Sequence, residues 1–249
     1  MINLSKELGV QSYCFRGFKK NEEVAAQLKL AGLDRIELCG AHVDFSRPDT
    51  FDDVIGLYRQ AGIRIVSIGV VRFRNDPAAE RNYFEFARRA GARAISATFL
   101  VDSAPQNFRA AEKLADEFDI NVAIHNHGGR HWLGCAEMLK QVFATTTERI
   151  GLCLDTAWAL DSGENPVEWA EKYGKRLYGV HWKDFVFDRA RKPQDVIVGS
   201  GNLDLPRFIA ALRKVEFNGF SVLEYEGDVN DPLPAVRKCL AAVRAAWGD

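Results

Sequence analysis

The feature that most constrains the fold of this chain is a regular alternation of β-type runs with helical stretches. Most of the runs end about 25 to 30 residues apart, the length of one strand–helix unit, and only the last gap widens, to roughly 43 residues. The eight runs are Leu8–Phe15, Arg35–Gly40, Arg64–Val71, Ala92–Leu100, Ile120–His127, Ile150–Thr156, Leu177–Asp184 and Phe220–Glu226. This alternation predicts a parallel sheet covered by helices.

The stretches between the runs carry helix start and stop signals. Asp76 followed by Pro77 predicts the beginning of a helix, and Gly91 predicts its end. The phrases "LKLAGLDRIEL", "YRQAGIRIVSI" and "ARRAGARAISA" share one order, in which Ala-Gly ends a helix and a charged residue leads into the next run. Because no linker rich in Pro or Ser interrupts the series, we predict a single domain over residues 1–249.

Eight alternating units are the number that close a (β/α)8 barrel. The alternative is an open doubly wound sheet, which would carry a glycine-rich dinucleotide fingerprint after its first strand. Here "RGFKKNEE" follows the first run and contains no such fingerprint. We therefore predict an α/β fold, a single (β/α)8 TIM barrel, and the 47% hydrophobic content is sufficient for its core.

Composition excludes several classes of partner. The net charge of −1, without a basic block, argues against a nucleic acid or an anionic membrane surface. No apolar run approaches the roughly 20 residues that cross a bilayer, and the N-terminus lacks the apolar segment of a secretory signal. Five scattered cysteines indicate reduced thiols. We expect a cytoplasmic protein acting on a small molecule; its oligomeric state stays open, and a homo-oligomer is compatible with the sequence.

Polar side chains end four successive late runs, where the active site of a barrel forms. We predict that these residues bind one divalent metal ion: His125, Asp155, His181 and Glu224. His127 is the alternative ligand on the fifth run. Imidazole and carboxylate ligands together favour Mn, Co, Zn or Fe over Mg. Each residue alone has a structural alternative, such as a turn or a hydrogen-bonded histidine, but the coincidence at four strand ends favours a site.

Alternation along a strand places further groups on the same faces one layer higher. His127 shares a face with His125, Lys183 with His181, and Glu226 with Glu224. We predict catalytic roles for Glu224, Lys183 and His127; for Lys183 the alternative is an ion pair with Asp184. The residues predicted to contact substrate are Glu37, His131, Trp132, Trp158 and Glu226.

At these residues the sequence resembles the xylose isomerase-like barrel superfamily over nearly the whole chain. The matching motifs are "LCLDTAW" at Asp155, "VHWKD" at His181, "GSGNLDLPRF" from Gly199, and "FNGFSVLE" at Glu224. The superfamily includes sugar isomerases, ketose 3-epimerases, inositol-pathway isomerases and dehydratases, and endonuclease IV. The resemblance implies a metal-dependent barrel.

Two residues depart from the pattern of this superfamily. Many relatives have a glutamate where this chain has His125, and epimerases use it as one of two bases on opposite faces of the substrate. Many also have a histidine where this chain has Trp158, whose indole suits the apolar face of a ring. We expect His125 to be a neutral ligand whose other nitrogen meets an acceptor, so that chemistry on one substrate face is favoured over 3-epimerisation.

The resulting hypothesis is a metal-dependent isomerase, epimerase or lyase for a sugar, keto-sugar or cyclitol, working by proton abstraction next to a carbonyl. One alternative is a barrel that binds sugar or metal without catalysis, or a partner subunit. A less favoured one is an apurinic-site endonuclease, which would need more metal ligands and a basic DNA-binding face.

Overall fold

The fold is a closed barrel of eight parallel strands, seen in a computed structural model that describes residues 3–129 and 131–248. The barrel strands are β1 (Leu8–Gln11), β2 (Arg35–Leu38), β3 (Arg64–Phe73), β4 (Ala94–Phe99), β5 (Asn121–His125), β6 (Ile150–Asp155), β7 (Leu177–Trp182) and β10 (Phe220–Leu223), and β8 (Phe185–Phe187) and β9 (Pro193–Asp195) form a separate pair. β10 closes the barrel by pairing with both β7 and β1. The predicted (β/α)8 TIM barrel is confirmed.

Helices connect successive strands, and one further helix precedes the first strand and another follows the last. They are α1 (Leu4–Glu7), α2 (Asn21–Leu30), α3 (Phe51–Gln60), α4 (Pro77–Ala90), α5 (Gln106–Phe118), α6 (Ala136–Thr145), α7 (Thr156–Asp161), α8 (Pro166–Tyr173), α9 (Leu205–Lys214) and α10 (Leu233–Trp247). In the part of the chain that is described, none is both long and apolar enough to cross a bilayer.

Helix α4 shows how the local sequence sets these boundaries. The Asp76 carboxylate accepts the N–H of Ala79 at 3.3 Å, and Pro77 occupies the first turn, where its missing N–H costs nothing. Gly91 ends the helix with φ of 79°, a left-handed conformation that glycine adopts without strain. The boundaries predicted from Asp76 and Gly91 are confirmed.

Several barrel strands end earlier than the apolar runs predicted. The first run was expected to extend to Phe15, but β1 ends at Gln11, whose side chain accepts the N–H of Tyr13 at 3.1 Å and turns the chain into a 3-10 helix. β7 and β10 end at Trp182 and Leu223. Their following polar residues therefore lie on loops above the barrel rim.

The long connection between β7 and β10 contains an antiparallel hairpin, β8–β9, that the sequence did not predict. Asp184 holds the segment that follows the hairpin close to the end of β7, because its carboxylate accepts the N–H groups of Gly199, Gly201 and Leu203, each at 2.9 Å. The hairpin brings Asp195 close to the loop after β10, where Asp195 Oδ1 lies 3.5 Å from the backbone nitrogen of Glu226.

Candidate metal centre and active site

Four ligand-type side chains converge at the carboxyl ends of adjacent strands. Each of them offers one atom, and these atoms all lie within 4.8 Å of one another: His125, Asp155, His181 and Glu224. His125 and Asp155 are the last residues of β5 and β6, and Asp155 pairs in register with His181. Glu224 follows β10 directly, and its N–H still donates to Trp182 at 3.0 Å. The structure thus brings together the four residues predicted as metal ligands.

The distances between the nitrogen and oxygen atoms of this cluster are short enough for all of them to face one common point. His125 Nε2 lies 3.1 Å from His181 Nδ1 and 3.6 Å from both Asp155 Oδ2 and Glu224 Oε2. His181 Nδ1 lies 3.2 Å from Glu224 Oε2. All four side chains are buried, and Asp155 Oδ2 has no hydrogen-bond partner within the described residues. A buried carboxylate oxygen without a partner is costly, so the donor set fits a cation.

Asp155 is held by hydrogen bonds that leave this oxygen free. Its other oxygen, Oδ1, accepts the N–H of Trp158 at 2.8 Å and thereby caps α7. Asn126 donates its amide to the Asp155 carbonyl at 3.0 Å and accepts the Asp155 N–H at 2.9 Å. Asp155 therefore caps α7 and also belongs to the cluster. Asn126 thus bridges the ends of β5 and β6.

Glu37 lies beneath the cluster and does not line the mouth. Its side chain is fully buried, and Oε2 lies 2.6 Å from Nε2 of His181, which leaves Nδ1 of that ring facing the other ligands. Its Oε1 accepts hydrogen bonds from Ser67, at 3.1 Å, and from Ser96. The predicted contact of Glu37 with substrate stays a prediction; in the structure Glu37 lies in β2, outside the lining of the mouth cavity, and contacts His181.

His125 differs from His181 in the contacts of the ring nitrogen that faces away from the cluster. Its Nδ1 is buried and has no hydrogen-bond partner among residues 3–129 and 131–248. The acceptor expected for this second nitrogen is not found among those residues, and the ring packs against His127 and His181, with centroids 4.6 and 4.7 Å away.

Lys183 and Glu226 form an ion pair above the cluster. Lys183 Nζ contacts Glu226 Oε1, lies 4.0 Å from Glu224 Oε2, and sits 5.3 Å from the centre of the Trp158 ring. Burial lowers the pKa of Lys183, but the carboxylates around it, first Glu224 and Asp155, outweigh this and raise the pKa above its ordinary value. The alternative ion pair with Asp184 is not formed.

Burial acts in the opposite direction on the neighbouring acids. It raises the pKa of Glu224, but Lys183 and His181 outweigh it, and the pKa lies well below the usual range for a glutamate. Glu224 is therefore an anion across the neutral pH range. Burial also raises the pKa of Asp195 to about 6, against the opposing effect of Lys183. Sequence reasoning missed Asp195 because it lies on the unpredicted hairpin.

Two members of the cluster, His125 and Glu224, line a cavity of about 360 Å³ at the barrel mouth. Its walls are Gln11, Tyr13, Cys39, Gly40, Ala41, Val70, His125, His127, Trp158, Glu224 and Glu226. Trp158 and Glu226 thus lie where substrate contact was predicted. Burial lowers the pKa of His127 to about 3, with smaller contributions from His125 and His131, so this imidazole is neutral.

Two residues predicted to contact substrate lie behind this wall. Trp132 donates its indole N–H to the carbonyl of Phe99 at 2.9 Å and packs edge-on against Phe108. Nε2 of His131 lies 3.1 Å from Oγ1 of Thr98. Neither lines the mouth cavity, and their contact with substrate stays a prediction.

A cavity of about 670 Å³ lies at the opposite, amino-terminal end of the barrel, near Arg59, Arg64 and Arg93. Although it is larger, its walls contain no residue of the cluster. The mouth cavity is therefore the candidate active site, since convergent polar groups and shifted pKa values coincide there.

Comparisons with known proteins agree with the barrel fold. The family described as xylose isomerase-like TIM barrel matches residues 25–246. The rhizopine catabolism protein MocC of Rhizobium meliloti is 31% identical over 138 residues, which make up 50% of this chain and 42% of that protein. An inosose dehydratase of Clostridium botulinum is 26% identical over 137 residues, 49% of this chain and 46% of that protein. The chain is thus matched to less than half the length of these curated relatives.

A solved structure extends the likeness to the whole barrel. The IOLI protein, crystallised with a zinc atom, superimposes with a TM-score of 0.76 and 15% sequence identity over 97% of this chain and 98% of that chain. At this identity the likeness concerns the fold. Together with the family match over most of the sequence, it leads to one conclusion: the chain belongs to the xylose isomerase-like TIM barrel family.

Proposed function

We propose that this protein is a metal-dependent enzyme that abstracts a proton next to the carbonyl of a sugar, keto-sugar or cyclitol. The observation that carries the proposal is the convergence of four ligand atoms within 4.8 Å, with one carboxylate oxygen left unpaired. His125 and Glu224 of this cluster line a cavity whose walls also include a second acid and an aromatic ring. Such a site combines charge stabilisation with proton transfer.

The cluster residues would hold one divalent ion. Two imidazoles and two carboxylates favour Mn, Co, Zn or Fe over Mg, which prefers oxygen ligands and retains its waters. The zinc in the IOLI protein supports the same class of ion. When bound, the ion would polarise the substrate carbonyl and offset the negative charge that develops on its oxygen. Glu37 would keep His181 oriented for this task through the contact at Nε2.

Proton transfer is assigned to the groups just above the cluster. Glu224 offers a carboxylate at the cavity floor, and Lys183 and Glu226 form an ion pair within reach of it. In this arrangement Glu224 or Glu226 takes the proton from carbon, and the Lys183 ammonium hydrogen-bonds the oxygen that becomes negative. Trp158 provides a flat wall against which a sugar or cyclitol ring can lie.

The placement of the acids favours reaction on one face of the substrate. Glu224 and Glu226 follow the same strand, whereas β5 presents the imidazoles of His125 and His127 where epimerising relatives have a carboxylate. Isomerisation or elimination needs base action on one face, and inversion needs it on two. The match to an inosose dehydratase supports elimination as one outcome.

The proposal is tested by metal analysis combined with proton exchange. We expect one divalent ion per chain in the purified protein, and NMR in D₂O should reveal loss of one C–H signal from a ketose, a keto-inositol or a 3-keto-glycoside. Asp155→Asn should lose both the ion and the exchange. The matched control is Asp116→Asn, which removes an exposed acid paired with Arg149.

A protein that binds no divalent ion under any loading condition would overturn the proposal. So would a wild-type protein that binds the ion but exchanges no substrate proton, since that result indicates a binding barrel without catalysis.

A further inference from the structure

Strand β3 extends above the barrel rim on the side opposite the Lys183–Glu226 pair. It has ten residues, whereas its neighbours β2 and β4 have four and six. Its register with β4 shifts between Ile68 and Val71, and beyond the shift Arg72 pairs with Thr98. Since alternate residues of a strand share a face, Val70 and Arg72 point the same way, and Arg74 follows just past the strand end.

This extension forms one wall of a second cavity, which we call the arginine lobe, of about 700 Å³. The lobe shares three wall residues with the mouth cavity, namely Gly40, Val70 and His127. The two cavities therefore adjoin each other at these residues. A ligand that extends from the mouth cavity past Val70 would reach the lobe.

The walls of the lobe carry a net positive charge. Arg72 and Arg74 line it, and Asp44 is the one acid in its lining, so the charged side chains sum to +1. Asp44 Oδ1 already accepts the N–H and the O–H of Ser46, at 2.9 and 2.6 Å. Among the described residues neither guanidinium has a carboxylate oxygen within 4.0 Å. Both arginines thus present unused hydrogen-bond donors to the lobe.

The backbone that carries the two arginines is fixed from below. The buried carboxylate of Glu80 accepts the N–H of Arg74 at 2.7 Å and the N–H of Asp76 at 3.1 Å. Phe73, which lies between the two arginines, stacks on Phe99 with ring centres 5.0 Å apart. A rigid support of this kind lowers the entropy lost when a ligand binds, as expected for a binding site.

We propose that the arginine lobe binds an anionic substituent of the substrate, a carboxylate or a phosphate, attached away from the reacting carbon. Two guanidiniums on one rigid strand end suit such a group, because each can donate two parallel hydrogen bonds to its oxygens. The proposal rests on the proposed function for its choice of a sugar or cyclitol, and it narrows that class to acidic members.

The test compares three probes that differ in charge: glucose, glucuronate and glucose 6-phosphate. Ligand-observed NMR titration of the wild-type protein should give at least about tenfold tighter binding for an anionic probe than for glucose. In the double variant Arg72→Gln/Arg74→Gln this preference should disappear. The matched control Arg59→Gln/Arg93→Gln alters two arginines of the cavity at the other end of the barrel, and it should keep the preference.

An anionic probe could also bind the metal ion directly, so the titrations are repeated in Asp155→Asn. If the preference for anionic probes over glucose survives in this variant and vanishes in the arginine double variant, the result supports anion binding by the arginine lobe. This conclusion holds even if the protein proves to have no catalytic activity. The tighter of glucuronate and glucose 6-phosphate then identifies the anion. Equal binding of all three probes by the wild type, or preference that persists without Arg72 and Arg74, would overturn the proposal.

Discussion

Glu37 and His181 lie 144 residues apart in the sequence, yet Oε2 of the first is 2.6 Å from Nε2 of the second. The contact crosses the barrel interior from β2 to β7. It fixes which nitrogen of His181 faces the cluster, and both side chains are fully buried. The geometry of the candidate metal centre therefore depends on a residue outside it.

The first prediction concerns this contact. Glu37→Gln keeps the size of the side chain but removes the negative charge that polarises His181, so metal affinity should fall by about 10- to 100-fold. Titration of metal-free protein with Zn²⁺ or Mn²⁺ measures the effect. Glu117→Gln, an exposed change on α5, is the control. Unchanged affinity in Glu37→Gln would mean that the contact is structural only.

The second prediction separates chemistry from metal binding. Lys183→Met keeps the length and packing of the side chain but removes its ammonium group, so turnover should fall by about 100-fold or more. Metal content should stay near that of the wild type, since Lys183 is not a ligand. Lys214→Met, which alters an exposed pair with Glu171, is the control. If Lys183→Met loses the metal as well, the assigned role in proton transfer is wrong.

The third prediction concerns stereochemistry. The wild type should not invert a free ketose at C3 at rates typical of enzymes, roughly 1 s⁻¹ or faster. His125→Glu restores a carboxylate on β5 and should gain 3-epimerase activity while it keeps its metal. Chromatography of ketose products from both proteins provides the measurement. Efficient epimerisation by the wild type would refute the argument from His125.

The fourth prediction concerns pH and stability. Asp195 has a pKa of about 6 in the folded protein, against 3.8 as its ordinary value. Between these two values the folded chain holds a proton that the unfolded chain has lost, so raising the pH through this window destabilises the fold. At neutral pH, metal-free Asp195→Asn should therefore be more stable than the wild type by about 3 kcal/mol.

Urea unfolding at about pH 4 and about pH 7 tests this expectation. The gain should be present at the higher pH and nearly absent at the lower one. The exposed Asp102→Asn serves as the matched control and should show no such difference. A gain of equal size at both pH values would show that the ionisation of Asp195 is not its cause.

Much of the fold could be predicted because its signals are local. Helix caps such as Asp76 and Gly91, and the spacing of apolar runs, depend on neighbouring residues alone. The cluster could be predicted for the same reason, since ligand residues at strand ends must meet at the barrel mouth. The depth at which a side chain lies in the barrel, and the group to which it hydrogen-bonds, could not be predicted. The alternation of side chains along β2 predicts that Glu37 points into the barrel. The height of its side chain in the barrel depends on the shift in register between β2 and β3, at Ile36 and Glu37.

The strands that carry the proposed metal ligands and those that carry the arginine lobe lie in different parts of the barrel. The proposed ligands come from the contiguous arc of β5, β6, β7 and β10, whereas Gln11, Cys39, Val70 and the arginine lobe come from the strands of the first half. Apart from Glu37, the residues proposed for the reaction thus come from the second half of the sequence, whereas the two arginines proposed for selectivity come from the first half. Trp158 and His127 add walls from the second half. We expect that the loops after β2 and β3 can be exchanged for those of a relative while the strands that carry the proposed ligands stay unchanged. Such an exchange offers a route to new substrates that leaves the reaction itself intact.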